Sequence, residues 1–141
     1  MYCKDKKTRI NRSTLHENWC TPLHIYDEYV TRRKYFDPCP YPRASFDALT
    51  IEWKSNNFVN PPFGQLKEFT LKCKQEYLKG KNIVLLMPAR VDTRYFHDNV
   101  LPHARIEFIK GRLRFRENGN VDSKKKASPA PFPCILCFYE V

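Results

Sequence analysis

The sequence predicts an α/β domain built on a mostly parallel central sheet, and three observations carry that prediction. Strand-like apolar runs alternate along the chain with segments of helical periodicity, the pattern of repeated strand and helix units. The run Asn82 to Met87 is almost wholly apolar between Gly80 and Pro88, as expected of a strand buried on both faces. Two polar residues, Asp37 and Asn60, each stand where a short apolar run stops, and ligands of open α/β sheets bind beyond the carboxyl ends of the strands. A chain of 141 residues with 42% hydrophobic and 14% aromatic content can bury one core. We divide it into a basic N-terminal arm, 1–18, and one domain, 19–141.

Each element has its own warrant. Residues Met1 to Asn18 are basic and polar without apolar periodicity, the pattern of an arm laid on a partner or left in solvent. Thr21 suits a helix cap, Pro22 a first-turn position, and Leu23, Ile25, Tyr26, Tyr29 and Val30 recur at helical spacing, which predicts a helix over Pro22 to Arg32. A short strand fits Lys34 to Asp37, because Pro38, Pro40 and Pro42 can continue neither a ladder nor a helix. Phe58-Val59 is a second short strand, stopped by Asn60-Pro61-Pro62, and Gln65 to Lys79 reads as the helix after it. Beyond the central run, Asp92 to Leu101 reads as a helix with Asp92 near its start, and Arg105 to Ile109 as a strand. Glu117 to Pro133, with Gly119 and three prolines, is loop. Cys134 to Val141 is the last strand.

Charge narrows the function classes. The balance of 25 Lys and Arg against 15 Asp and Glu gives +10, which favours a polyanionic partner, nucleic acid foremost. No stretch approaches the roughly 20 apolar residues of a membrane span, and no basic amphipathic helix stands out, so a membrane partner is not expected. Met1 to Asn11 lacks the apolar segment of a secretory signal, so the protein is expected to stay inside the cell. Six cysteines are then expected to be reduced thiols. Cys134 and Cys137 form a lone Cys-x-x-Cys without further ligands at comparable spacing. On a strand they face opposite sides, so they read as core residues and no metal is expected.

The residues that carry chemistry are Asn60-Pro61-Pro62-Phe63. Asn60 offers a side-chain carbonyl and Pro61 a backbone carbonyl, two acceptors matched to the two hydrogens of an exocyclic amino group. That group is a poor nucleophile while its lone pair is delocalised into a base, so orienting it is the chemical problem. The prolines hold the corner rigid, and Phe63 supplies a flat face on which an unstacked base can rest, worth about 1 to 3 kcal/mol.

The order of motifs adds a resemblance. Trp19-Cys20-Thr21-Pro22, Phe36-Asp37-Pro38-Cys39, Asn60-Pro61-Pro62-Phe63, Leu86 through His97, and Gly111-Arg112-Leu113-Arg114-Phe115 together resemble the phage-type, Dam-like DNA N6-adenine methyltransferase family, from about Trp19 to the C-terminus. The resemblance implies a minimal Rossmann-like class I methyltransferase fold that takes a methyl group from S-adenosylmethionine and places it on an adenine flipped out of double-stranded DNA. It implies that Asn60, Pro61, Pro62 and Phe63 are catalytic. It places Trp19, Thr21, Pro22, Asp37 and Pro38 on the cofactor side, with Asp47 toward the ribose or adenine. The sequence departs from larger methyltransferases in carrying Pro38-Cys39-Pro40 where they place a glycine-rich loop. Read from the residues alone, the lesser alternative for Asp37 is a helix or turn cap, and for Asp47 a solvated loop acid is an equal one.

Basic residues complete the expected nucleic-acid surface. Arg90 and Arg94 follow the central strand, and each either meets a DNA phosphate or pairs internally, Arg90 with Asp92. Lys110, Arg112, Arg114 and Arg116 alternate through a strand-like segment, a phosphate stripe or a solvated edge that blocks sheet pairing. Lys124, Lys125 and Lys126 form a basic run that reads first as a solvated loop and, if it stands beside a cleft, as a grip on a nucleic-acid backbone. His97 is expected to be structural. Two rivals are weighed: the same chemistry on RNA, cytosine or a protein amide, of which Asn60 disfavours cytosine by family resemblance and the charge of +10 disfavours protein, and a nucleic-acid-binding module without catalysis.

Overall fold

Asn82–Pro88 is the strand on which the rest of the fold is assembled. A computed structural model describes residues 19–40, 44–114, 116–117 and 130–141. The expected arm over 1–18 and the Lys124–Lys126 run lie outside the described residues. In chain order the elements are β1 (Trp19–Cys20), α1 (Leu23–Tyr26, continuing as a π-helical turn over Asp27–Arg32), β2 (Asn56–Val59), α2 (Leu66–Leu78), β3 (Asn82–Pro88), α3 (Arg94–Asn99), β4 (Arg105–Phe108), β5 (Arg116–Glu117) and β6 (Cys134–Tyr139).

The main sheet has the order β2-β3-β6-β4, and β1 pairs separately with β5. Here the structure corrects the expectation of a mostly parallel sheet. β2 pairs parallel with β3, but β6 lies between β3 and β4 and runs antiparallel to both, so two of the three pairings are antiparallel. The chain places its C-terminal strand in the interior of the sheet rather than adding it to an edge, and that strand is the inverted one.

Alternation along β3 sorts two cores. Ile83, Leu85 and Met87 face Leu66, Phe69 and Cys73 of α2 and Phe96 and Val100 at α3. Val84 and Leu86 face Ile25 of α1, Phe58, Leu113 and Ala130. Three layers result, helix α1 with its neighbouring loops, the sheet, and α2 with α3. Cys134 and Cys137 fall in different cores, as the two-residue period of a strand requires. Leu85 is fully buried, and burial of such a side chain contributes about 1.5 to 3 kcal/mol.

Several expected elements shrink for identifiable reasons. The strand over Lys34–Asp37 reduces to a single parallel bridge, Phe36 with Asn57. Lys34 takes a left-handed φ of 60° before it, and Pro38 lacks a donor after it, so the ladder cannot extend. The cap of α1 falls on Pro22 with no side-chain capping bond, not on Thr21. Asp92 does not start α3. Thr93 caps it, its hydroxyl accepting from the Phe96 amide at 3.3 Å. The alternating basic stripe is also interrupted, because Gly111 turns the chain at a φ of 78° before β5 begins at Arg116.

One buried ionic cluster braces α2 against the start of β3. Glu76 is fully buried and accepts from Lys72 Nζ at 2.7 Å and from Lys81 Nζ on its other oxygen. Lys72 also lies 5.7 Å from the Trp53 ring centre, so α2, the loop before β2 and the loop before β3 are tied at one point.

Candidate active site

The corner at the end of β2 is set by backbone chemistry. Pro61 and Pro62 have no N–H to pass on to a ladder, which stops the strand and holds φ near its helical value. Pro62 has φ −58° and ψ 130°, and its carbonyl accepts from the Gln65 amide at 2.9 Å. That bond opens the short 3-10 turn Phe63–Gln65 leading into α2.

Asn60, Pro61 and Pro62 are all buried. Asn60 is 2% exposed, and its Nδ2 donates to Thr21 Oγ1 at 2.9 Å across 39 residues of chain. Its Oδ1 is buried and has no hydrogen-bond partner among the described residues. Leaving a buried acceptor unmade costs about 1 to 3 kcal/mol, so this oxygen is one of the few buried polar atoms that call for an explanation.

Phe63 is half-buried and meets Phe132 edge-on, with ring centres 5.2 Å apart and planes at 88°. Sequence reasoning missed Phe132, which lay in a stretch read as loop. The only signal was its aromatic character between Pro131 and Pro133.

Beside the corner lies a cavity of about 50 Å³ walled by Pro38, Pro40, Phe46, Asp47, Pro62 and Phe69, with Cys39 and Gln65 at its margin. The loop that brings Asp47 there is pinned by its own hydrogen bonds. The Leu49 amide donates to Asp47 Oδ1 at 3.0 Å and Trp53 Nε1 to the Ala48 carbonyl at 2.9 Å. Asp37 makes a similar turn bond, its Oδ1 accepting from the Cys39 amide at 3.0 Å. Both acids thus cap turns, and Asp47 also lines the cavity.

The structure therefore brings Pro38 and Asp47 together with Pro62 at one cavity, and Thr21 onto Asn60. Trp19 is in β1, paired with Glu117. Pro22 lies elsewhere, in an open groove of about 790 Å³ shared with Leu23, His24, Asp27, Lys110, Arg112 and Arg114. Arg112 also reaches the Ala130 carbonyl at 3.4 Å. Three cations face one carboxylate in that groove. Arg90 and Arg94 are exposed, and no ion pair joins Arg90 to Asp92 among the described residues. His97 Nε2 lies 2.8 Å from the Val91 carbonyl, which can only accept, so this nitrogen donates and the ring braces the start of α3.

Burial disfavours nucleophilic chemistry at the four cysteines the structure shows buried, Cys39, Cys73, Cys134 and Cys137. It pushes the thiols of Cys39, Cys134 and Cys137 each up to about 12, which leaves even less of the attacking thiolate at neutral pH than an exposed cysteine has. Among the described residues no group of three or more His, Cys, Asp or Glu side chains is placed to hold a metal ion, and no helix is long and apolar enough to cross a membrane.

The model of one protein family, DNA N-6-adenine-methyltransferase (Dam), matches residues 9–140. No curated protein and no solved structure gives a significant match.

Proposed function

The chain belongs to the DNA N-6-adenine-methyltransferase (Dam) family, and from that premise we propose that it is a site-specific, S-adenosylmethionine-dependent enzyme methylating the exocyclic nitrogen of an adenine extruded from double-stranded DNA. The observation that carries this reading is the buried Asn60 Oδ1, an acceptor without a partner among the described residues at the corner after β2. It takes one amino hydrogen of the base while the Pro61 carbonyl takes the other, which turns the nitrogen lone pair toward the methyl donor. Holding reactants in such alignment can lower the barrier by several kcal/mol, up to about 7 to 11 for the best-oriented pairs.

The lining of the cavity beside the corner suits the adenosine part of the cofactor in its chemistry, while a volume of about 50 Å³ encloses only a portion of it. Phe46, Phe69 and the prolines offer apolar faces to a flat base, and Asp47 offers a carboxylate to a hydroxyl pair. Bound there, S-adenosylmethionine would supply an electrophilic sulfonium methyl. The target adenine must leave its stack to reach the corner, and Phe63 gives it an aromatic surface. Arg112 and Arg114 in the open groove contact phosphates, with Arg90 and Arg94 beyond the end of β3 as further contacts. Phosphate contacts position the duplex without reading its sequence.

The test uses tritiated S-adenosylmethionine and mixed-sequence duplex DNA. Label should appear as N6-methyladenine after nucleoside digestion, and Asn60→Ala should abolish it. Absence of label in adenine, with Asn60→Ala indistinguishable from wild type, would refute the proposal.

A further inference from the structure

An asparagine amide has nearly the same shape at both ends, but only one end can accept the hydrogen of an amino group. A half-turn about its last side-chain bond would point Nδ2 at the substrate and set N–H against N–H. Something must choose the orientation, and it must do so before substrate arrives.

The bond from Asn60 Nδ2 to Thr21 Oγ1, 2.9 Å long, anchors one end of the amide, and the cost of orphaning its N–H decides which end that is. Thr21 is fully buried. It is held in place from both sides, by β1 before it, paired antiparallel with β5, and by Pro22, which caps α1 after it. As a β-branched residue its side chain is also stiff. In the orientation seen, the atom left for an incoming partner is the carbonyl oxygen. In the reversed one the hydroxyl would serve the oxygen and a buried N–H would be orphaned, the rarer and costlier outcome in folded proteins.

We propose that Thr21 is a positioning residue for methyl transfer, which fixes the Asn60 amide with its acceptor toward the adenine amino group, and that it acts through Asn60 rather than by holding the cofactor. The inference rests on the proposed role of Asn60. It differs from the family resemblance, which puts Thr21 on the cofactor side.

The experiment compares full-length wild type, Thr21→Val and Thr21→Ser in the tritium assay, varying cofactor and DNA separately. Valine keeps the shape and loses the oxygen. It should lower kcat about 10- to 100-fold and leave the KM for S-adenosylmethionine within about twofold of wild type. Serine should recover most of the rate. A raised cofactor KM with unchanged kcat would make Thr21 a cofactor contact and overturn the inference, as would a valine variant equal to wild type or a serine variant as slow as valine. Wild type without adenine methylation would instead strike the proposed function itself. If Thr21→Val does not fold, the Asn60 side-chain amide in ¹⁵N-labelled wild type and Thr21→Ser decides. A slowly exchanging pair of resonances that shifts in the serine protein is expected, and resonances that exchange freely or do not move overturn the proposal.

Discussion

Glu76→Gln isolates the ionic cluster near the C-terminal end of α2, away from the Asn60 corner. The carboxylate is fully buried, and Lys72 and Lys81, its two nearest partners, have side chains only 10% and 13% exposed. Burial alone pushes the Glu76 carboxyl up, but the ammonium groups of Lys72 and Lys81 more than offset it, so the group titrates below the usual carboxylate value. Removing one partner of a buried pair costs about 3 to 5 kcal/mol, because the remaining charge stays buried without compensation. The lower end applies here, since Lys81 keeps a second carboxylate, Glu52, at 3.1 Å. About 3 kcal/mol corresponds to a fall in Tm of roughly 10 °C for a domain of this length. The assay is thermal melting followed by far-ultraviolet circular dichroism. A carboxyl with a lower pKa in the folded chain than in the unfolded one stabilises the fold above the unfolded pKa, and that stability is lost as pH falls through the folded value. The gap between wild type and variant should therefore be full at pH 7 and narrow below about pH 4. A change in Tm under about 2 °C at pH 7, or a gap that persists in acid, would refute the reasoning.

Other perturbations separate the remaining parts. The double variant Arg112→Ala/Arg114→Ala should weaken binding to duplexes of every sequence and reduce the slope of log affinity against log salt by about two, read by fluorescence anisotropy. An unchanged slope would remove the groove from the DNA path. Phe63→Leu keeps the bulk and loses the stacking face, so it should raise the KM for DNA about tenfold while changing Tm by no more than about 5 °C. If kinetics are unaltered, Phe63 does not carry the base. Cys39, Cys73, Cys134 and Cys137 are buried, so they should escape maleimide at pH 8 in the native protein and react after guanidinium, as seen by peptide mass spectrometry. Labelling of any of the four in the native state contradicts the packing of the core that holds it.

What the sequence made legible was local. The run Asn82 to Met87 announced β3 because burial on both faces demands apolar residues at every position. The tetrapeptide announced the corner, since adjacent prolines force a stop wherever they fall. The helical spacing after it foretold α2 to within a residue or two. What stayed hidden depended on partners far apart in the chain. The direction of β6 leaves no mark in its own residues, because an apolar strand reads the same in either sense. The truncation of the strand before Pro38 turned on Lys34 adopting a left-handed backbone, with no glycine to advertise it. The bond between Thr21 and Asn60 joins segments 39 residues apart, and the sequence offered Thr21 a plausible local task as a helix cap.

The unexpected strand direction has a consequence for the site. β2 and β3 run parallel, so Asn60 and Ala89 both emerge at the same end of the sheet. Because β6 runs against β3, with Cys134 opposite Pro88 and Tyr139 opposite Ile83, its entry segment arrives at that same end. The Ala89 amide donates to the Pro133 carbonyl at 2.8 Å, and Phe132 is thereby set edge-on against Phe63. A parallel β6 would have brought its entry segment to the opposite end, some six residues of strand away, and left Phe63 without this neighbour. The antiparallel insertion thus supplies a wall of the proposed base pocket from the C-terminal end of the chain, while Thr21 supplies the partner of Asn60 from the start of the domain. The proposed site draws on segments from both.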